Sequence, residues 1–265
     1  MGSTFLYTTR IFQCYPITNE VNIIMDLKRF YEIVRTDPEI NLTMANVPEF
    51  DFLITHAGLN DVNVDFLAYI LATTYWETAG TMLPVREAYW LSEEWRKKNL
   101  RYYPYYGRGY VQITWEFNYK KATEYFRKKL GINVDFVKNP DLVMNKEYSV
   151  IILFVGSLEG WFTTKKLGDS IDNIDESDEE DLREFVAARK VINGTDKAAK
   201  IARLALTFKK ALRIADYRGS PVPVVIPPID APIVVIEPTV EPPVADTTGF
   251  WKALFDFIAK LFGGK

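Results

Sequence analysis

Apolar residues recur at helical spacing along most of the chain between residues 26 and 216. From Asp26 onward one face of a predicted helix carries Leu27, Phe30, Tyr31 and Val34. A second helix is predicted over residues 63–80, with Asn63 at its N-cap and a stripe of Phe66, Leu67, Ile70, Leu71 and Thr74. Helical patterns resume at about residues 114–130, 145–160, 178–191 and 196–216. The pattern predicts a mainly α-helical domain over residues 25–218.

Residues 81–109 lack that periodicity and contain Pro84, Pro104, Gly107 and Gly109 among many aromatic side chains. We interpret them as a loop, and a loop of this length more often serves function than simple connection. Further on, Ser177 followed by Glu180 predicts a capping box that opens the helix over 178–191. The acidic run over residues 169–181 is interpreted as a solvated turn with negative charge at that helix N-terminus.

Three further segments flank this domain. Residues 1–24 carry no helical period and are read as an N-terminal extension or a short strand pair. Residues 219–249 hold eight of the chain's fourteen prolines and are predicted to form an extended, semi-rigid linker. Residues 250–265 form a predicted amphipathic helix, whose apolar face must be buried against its own domain, another protein chain or a membrane surface.

The amino-acid composition limits the kinds of functional site that the chain can contain. A net charge of −3 and a pI near 5.5 give no basic footprint for nucleic acid. One cysteine, Cys14, and one histidine, His56, exclude an internal disulfide and argue against a two-histidine zinc site. No signal peptide and no membrane-spanning apolar run are visible, so synthesis in a cytoplasm is expected. Carboxylates are therefore the leading candidates for catalysis.

Glu77 and Glu87 are the candidate pair. Hydrolysis of a glycosidic bond needs one carboxylic acid to protonate the leaving oxygen and a second carboxylate to activate water or attack the sugar. Glu77 stands beside Trp76 at the end of an apolar helix, where burial favours its protonated form. Glu87 lies on a polar loop beside Arg86 and is expected to be ionised. Spacing alone does not distinguish this pair from two surface glutamates.

A glycine-containing aromatic run follows over residues 105–115. Gly107 and Gly109 permit a tight turn, and the flanking tyrosines can form the wall of a groove. Gln112, Thr114 and the later Asn118 are placed to present polar groups to a sugar or a water molecule.

This run resembles the Y-Y-G-R-G-x-x-Q-x-[ST]-W-x-x-N-Y signature of glycoside hydrolase family 19, the chitinases and related phage lysozymes. The segment around Glu77 resembles the family's H-E-T motif, and residues 139–143 resemble its N-P-D-L-V turn. Residues 160–163 and 189–194 are also similar to family segments. The matches occur in the expected order, and the short gap between the two glutamates is most similar to phage and prophage endolysins.

The resemblance implies a lysozyme-like α-helical fold and an inverting mechanism without metal or cofactor. Glu77 would be the general acid, Glu87 the general base, and Thr114 would help to hold the attacking water. An inverting pair stands roughly 6.5–9.5 Å apart to admit that water. The expected sugar contacts come from Gln112, Asn118 and Asn193, together with Tyr106, Arg108 and Trp115 of the signature run.

Two positions depart from the family pattern. Trp76 replaces the usual histidine before the acid, and Phe117 replaces a tyrosine that often precedes the asparagine. Since the loop that carries the base varies in length across the family, Glu93 and Glu94 remain alternative bases.

The sequence therefore favours a peptidoglycan hydrolase of the endolysin type, acting on the cell wall after release from the cytoplasm or as part of a virion. A chitinase shares the fold and mechanism and is the main alternative. A non-catalytic virion protein that binds glycan is a second alternative, since the family's histidine is missing. In a third, residues 250–265 tether the chain to a larger assembly.

Overall fold

Eight α-helices and two very short strands make up residues 25–174 and 177–218, the part of the chain that the computed structural model describes. The helices are α1 (Leu27–Val34), α2 (Val47–Leu59), α3 (Val64–Glu77), α4 (Glu93–Asn99), α5 (Glu116–Lys129), α6 (Lys146–Glu159), α7 (Asp178–Ile192) and α8 (Ala198–Ile214). Strands β1 (Val85–Arg86) and β2 (Arg108–Gly109) pair antiparallel, and 3-10 turns cover Pro140–Met144 and Leu167–Asp169. The predicted mainly α-helical class is confirmed over these residues. The predicted extension, linker and C-terminal helix lie outside the described residues.

Side-chain caps start the helices where the sequence predicts them. Asp26 accepts a hydrogen bond from the backbone N–H of Arg29 at the start of α1, and Asn63 accepts one from Phe66 at the start of α3. Ser177 and Glu180 form the predicted reciprocal capping box of α7. Each cap satisfies backbone donors that a helix N-terminus leaves unpaired. These predicted helices are confirmed, although α3 ends at Glu77 rather than at residue 80.

The spacing of apolar residues did not predict helices α2 and α4, for opposite reasons. Every residue of α2 from Phe52 to Leu59 is buried, so the helix has no polar face to produce a 3.6-residue period. Helix α4 buries only Arg96, so it has no apolar stripe. Its start depends on Ser92, whose hydroxyl accepts from the N–H of Trp95. The prediction of a loop throughout 81–109 is therefore wrong for residues 93–99.

Helix α3 is the centre of the fold and packs most extensively against α8, which also packs on α7 and α1. The side chains of α3 are buried from Asp65 to Thr74. Lys209 of α8 forms buried ion pairs with Asp65 of α3, at 2.8 Å, and with Asp181 of α7. Because this central helix ends at Glu77, that side chain is held by a rigid support. Among the described helices, none combines the length and hydrophobicity needed to cross a membrane.

Candidate active site

One cleft of about 580 Å³ brings together residues from four parts of the described chain. Its walls come from the end of α3, the segments around β1 and β2, the start of α5, and the residues that follow α6 and α7. Seven predicted site residues line it, namely Glu77, Glu87, Gln112, Thr114, Trp115, Asn118 and Asn193. The two candidate catalytic carboxylates therefore share one cleft.

Glu77 is the last residue of α3, and its side chain is only 3% exposed. Nη1 of Arg189, on α7, donates a hydrogen bond of 2.7 Å to its Oε1. Arg189 is itself buried, and its Nε donates to the backbone carbonyl of Asp196. A buried carboxylate is costly unless it is paired, and this guanidinium provides the compensating charge. The sequence indicates the segment 189–194 through the family resemblance but does not reveal this ion pair.

Glu87 follows β1 and is also 3% exposed, so it does not lie on a solvated loop. The hydroxyl of Tyr102 donates to its Oε1 at 2.7 Å, and the N–H of Gly107 donates to its Oε2 at 2.9 Å. Burial raises the pKa of Glu87, while these two hydrogen bonds and the charges of Arg108 and Arg96 act in the opposite direction.

The expectation that Glu87 lies on a polar loop beside Arg86 is therefore wrong as regards its surroundings, because the side chain is buried. Arg86 pairs instead with Asp141, at 3.3 Å between Nη2 and Oδ2. The sequence could not show this pairing, because Asp141 lies far from Arg86 along the chain. Glu87 is buried by the same backbone pairing that positions it, since its N–H donates to the carbonyl of Gly107.

The glycines of the 105–115 run are required by close contacts. A Cβ at Gly107 would lie 2.8 Å from Oε1 of Gln112 and 3.2 Å from Oε2 of Glu87. Gly109 has φ of +83°, and a Cβ there would lie 2.5 Å from Oγ of Ser149. Only glycine fits both positions without displacing neighbouring atoms.

Gln112 and Asn118 line the cleft, and each has a buried side-chain oxygen without a hydrogen-bond partner in the described part of the chain. Nε2 of Gln112 donates to the carbonyls of Val85 and Gly109, and Nδ2 of Asn118 donates to the carbonyl of Thr114. With the nitrogens engaged in this way, Oε1 of Gln112 and Oδ1 of Asn118 are buried and have no hydrogen-bond partner among the described residues. Such acceptors favour a ligand that brings hydroxyl or amide N–H donors.

Tyr106 and Arg108 lie behind the cleft wall instead of lining it. Both are buried, and the guanidinium carbon of Arg108 lies 3.5 Å from the centroid of the Tyr106 ring. Nε of Arg108 donates to Asp141 at 2.7 Å, and its Nη1 donates to the carbonyl of Pro104. Tyr106 and Arg108 are therefore not among the residues that line the cleft, and they bond to other parts of the protein, so their contact with a sugar stays a prediction.

Trp76 and Phe117, the two residues that depart from the family pattern, lie in different surroundings. Trp76 does not line the cleft, and Nζ of Lys200 on α8 lies 5.2 Å from the centroid of its ring. Phe117 lines the cleft and is 62% exposed. The alternative base Glu93 accepts hydrogen bonds from Arg96 and Tyr106. Neither Glu93 nor Glu94 is among the lining residues.

The lining side chains that were not predicted as site residues include Tyr102, Phe162, Thr163 and Ile192. Thr163 shows how distant segments meet, since its hydroxyl contacts the carbonyls of Lys190 and Val191 at the end of α7. The resemblance over residues 160–163 and 189–194 was the available signal for three of them. Tyr102 had no such signal.

Comparison with protein families supports a specific assignment. Residues 62–181 match the model of glycoside hydrolase family 19, described as chitinase class I. Over these residues the chain is similar to glycoside hydrolase family 19. The matched segment includes Glu77, Glu87 and the run through Asn118, and the protein is a glycoside hydrolase.

Similar solved structures are also chitinases. A mutant of chitinase C is 17% identical, covering 77% of this chain and 99% of its own, with a TM-score of 0.43. Chitinase C from Streptomyces griseus HUT6037 is 21% identical, with coverage of 76% and 80% and a TM-score of 0.42. A bacterial family 19 chitinase is 19% identical, with coverage of 74% and 97% and a TM-score of 0.39. A search of curated proteins found no match.

Proposed function

We propose that the protein hydrolyses the β-1,4 bonds of an amino-sugar glycan, with peptidoglycan as the polymer, by an inverting mechanism with two carboxylates. The observation that carries the proposal is the shared cleft of Glu77 and Glu87, which the family 19 match includes. The adjoining Thr114 lines the same cleft, where a side-chain hydroxyl can hold a water molecule.

In this mechanism Glu77 protonates the leaving glycosidic oxygen while Glu87 removes a proton from the attacking water. The chemistry needs Glu77 protonated and Glu87 ionised when the bond breaks. Tyr102 and Gly107 support the base role, because each donates a hydrogen bond that favours the ionised form of Glu87.

Amino sugars match the remaining polar groups of the cleft. Their hydroxyl and acetamido N–H groups are donors, and the free oxygens of Gln112 and Asn118 are acceptors. Asn193 and Trp115 extend the lining beyond these two residues. Peptidoglycan and chitin both contain such sugars.

The same mechanism therefore fits two candidate substrates, peptidoglycan and chitin. The short interval between Glu77 and Glu87, similar to that of phage endolysins, supports peptidoglycan, and with it an action on the cell wall after release or from a virion. The description of the matching family, chitinase class I, favours chitin as the second candidate.

The test is the purified protein on peptidoglycan and on chitin oligosaccharides, with the anomer of the new reducing end read by NMR. We expect cleavage of peptidoglycan with inversion. Glu77→Gln and Glu87→Gln should each reduce turnover by at least about 10²–10⁴-fold, the usual contribution of general acid–base catalysis. Glu179→Gln, the same substitution at an exposed residue that does not line the cleft, is the matched control.

Other outcomes overturn parts of the proposal. Retention of configuration would exclude the inverting mechanism. Full activity of Glu77→Gln would exclude Glu77 as the acid. Binding of glycan without cleavage by the unaltered protein would leave a glycan-binding protein.

A further inference from the structure

Arg101 places a positive charge at the margin of the cleft. Its guanidinium carbon lies 5.3 Å from the centroid of the Trp115 ring, and its side chain is exposed. The ring of Tyr102 packs on the same tryptophan, at 5.1 Å between centroids. Since Trp115 and Tyr102 both line the cleft, Arg101 stands beside the wall that also holds Glu87.

The charge of Arg101 contrasts with the cleft interior. Of the described residues that line the cleft, none is a lysine or an arginine, and its two ionisable acids are Glu77 and Glu87. The field of Arg101 reaches this region, since it acts to lower the pKa of the Tyr102 hydroxyl against the larger effect of burial. The positive charge of Arg101 at the margin of the cleft is therefore not required by the catalytic pair.

A neutral glycan gains little from such a cation, whereas a carboxylate on the glycan gains a charge-assisted hydrogen bond. Stacking on Trp115 also restricts the guanidinium, so less side-chain freedom is lost when an anion binds. Chitin carries no carboxylate. Peptidoglycan carries free carboxylates on its peptides, and the lactyl group of a muramic acid has a free carboxylate where no peptide is attached to it.

We propose that Arg101 binds a carboxylate of the substrate and makes the cleft selective for an anionic amino-sugar glycan over a neutral one. This inference rests on the proposed function, because it assigns the substrate class of the same cleft. Arg101 acts in binding and takes no part in the transfer of protons.

The experiment compares Arg101→Gln with the unaltered full-length protein on three substrates. These are intact peptidoglycan, its glycan strands after an amidase has removed the peptides, and chitin oligosaccharides. We expect Arg101→Gln to raise KM roughly three- to ten-fold on the anionic glycan, with kcat changed far less, as for a partly solvated ion pair. The effect should shrink as NaCl is added.

Matched variants separate this role from a general loss of charge. Arg101→Lys retains a cation and should recover most of the affinity. Lys97→Gln removes an equal charge from the exposed side of α4 and should leave KM within two-fold of the parent value. A KM effect on intact peptidoglycan identifies a peptide carboxylate as the group bound, because the lactyl carboxyl there is held in an amide. An effect on the amidase-treated strands alone identifies the lactyl carboxylate, which the amidase sets free.

An equal rise in KM on chitin oligosaccharides, or no rise on any substrate, would overturn the inference. Failure of the proposed function would look different, because the unaltered protein would then cleave no peptidoglycan at all. If it cleaves chitin alone, both the proposed polymer and the role of Arg101 are wrong.

Discussion

Arg189 and Glu77 form a buried ion pair across 112 positions of the chain, with 2.7 Å between Nη1 and Oε1. The pair joins the end of α3 to α7 beside the catalytic cleft. Both side chains are almost fully buried, so neither charge has water as a substitute partner. The pair therefore links stability to the active site.

Replacement of Arg189 by Met should lower the free energy of unfolding by about 3–5 kcal/mol, because it leaves a buried carboxylate without its counter-charge. Urea denaturation measures this change. The double variant with Glu77→Gln should recover part of the loss, since the uncompensated charge is then removed. Arg203→Met, at an exposed arginine of α8, is the control and should change stability by about 0.5 kcal/mol or less. A purely additive double variant would show that the two side chains are not coupled.

Replacement of Tyr102 by Phe should shift the acidic limb of the kcat/KM profile to higher pH. The hydrogen bond from Tyr102 lowers the pKa of Glu87, which burial has raised, so its removal raises that pKa further. A base with a higher pKa becomes protonated, and thus inactive, at a higher pH. Activity should fall at acidic pH and recover on the alkaline side of the limb.

Tyr103→Phe is the matched control for this profile, because the Tyr103 hydroxyl bonds to Glu93 rather than to Glu87. A shift of the limb to lower pH in Tyr102→Phe would contradict the assignment of Glu87 as the base. So would an equal shift in both variants.

Replacement of Phe117 by Ala should weaken substrate binding without affecting the fold. The ring lines the cleft yet is 62% exposed, so its removal leaves no cavity in the core. If a sugar covers the ring, the loss of that apolar contact costs about 1.5 kcal/mol, or roughly a ten-fold rise in KM. Steady-state kinetics with a thermal unfolding curve measure both quantities. Phe117→Tyr keeps the ring and should retain the affinity. An unchanged KM in Phe117→Ala would show that the sugar does not reach this residue.

The helices could be predicted where a side chain caps the N-terminus or where one face is apolar. Asn63 and Ser177 act as caps through contacts with residues three positions further along the chain. Both partners of such a contact can be recognised in the sequence. Helix α2 was missed because burial on all sides removes the periodic signal, and α4 because only Arg96 is buried. Burial of that kind results from packing with distant helices.

The sequence by itself determined the glycoside hydrolase family and the candidate carboxylates Glu77 and Glu87, because motifs and caps are local arrangements of residue types. Tertiary structure alone decided the surroundings of those groups. It paired Arg189 with Glu77, buried Glu87 with a hydrogen bond from Tyr102, and paired Arg108 with Asp141. The ionisation of a carboxylate depends on solvent exclusion and on charges within a few ångströms, and folding brings those groups together from segments far apart in the chain.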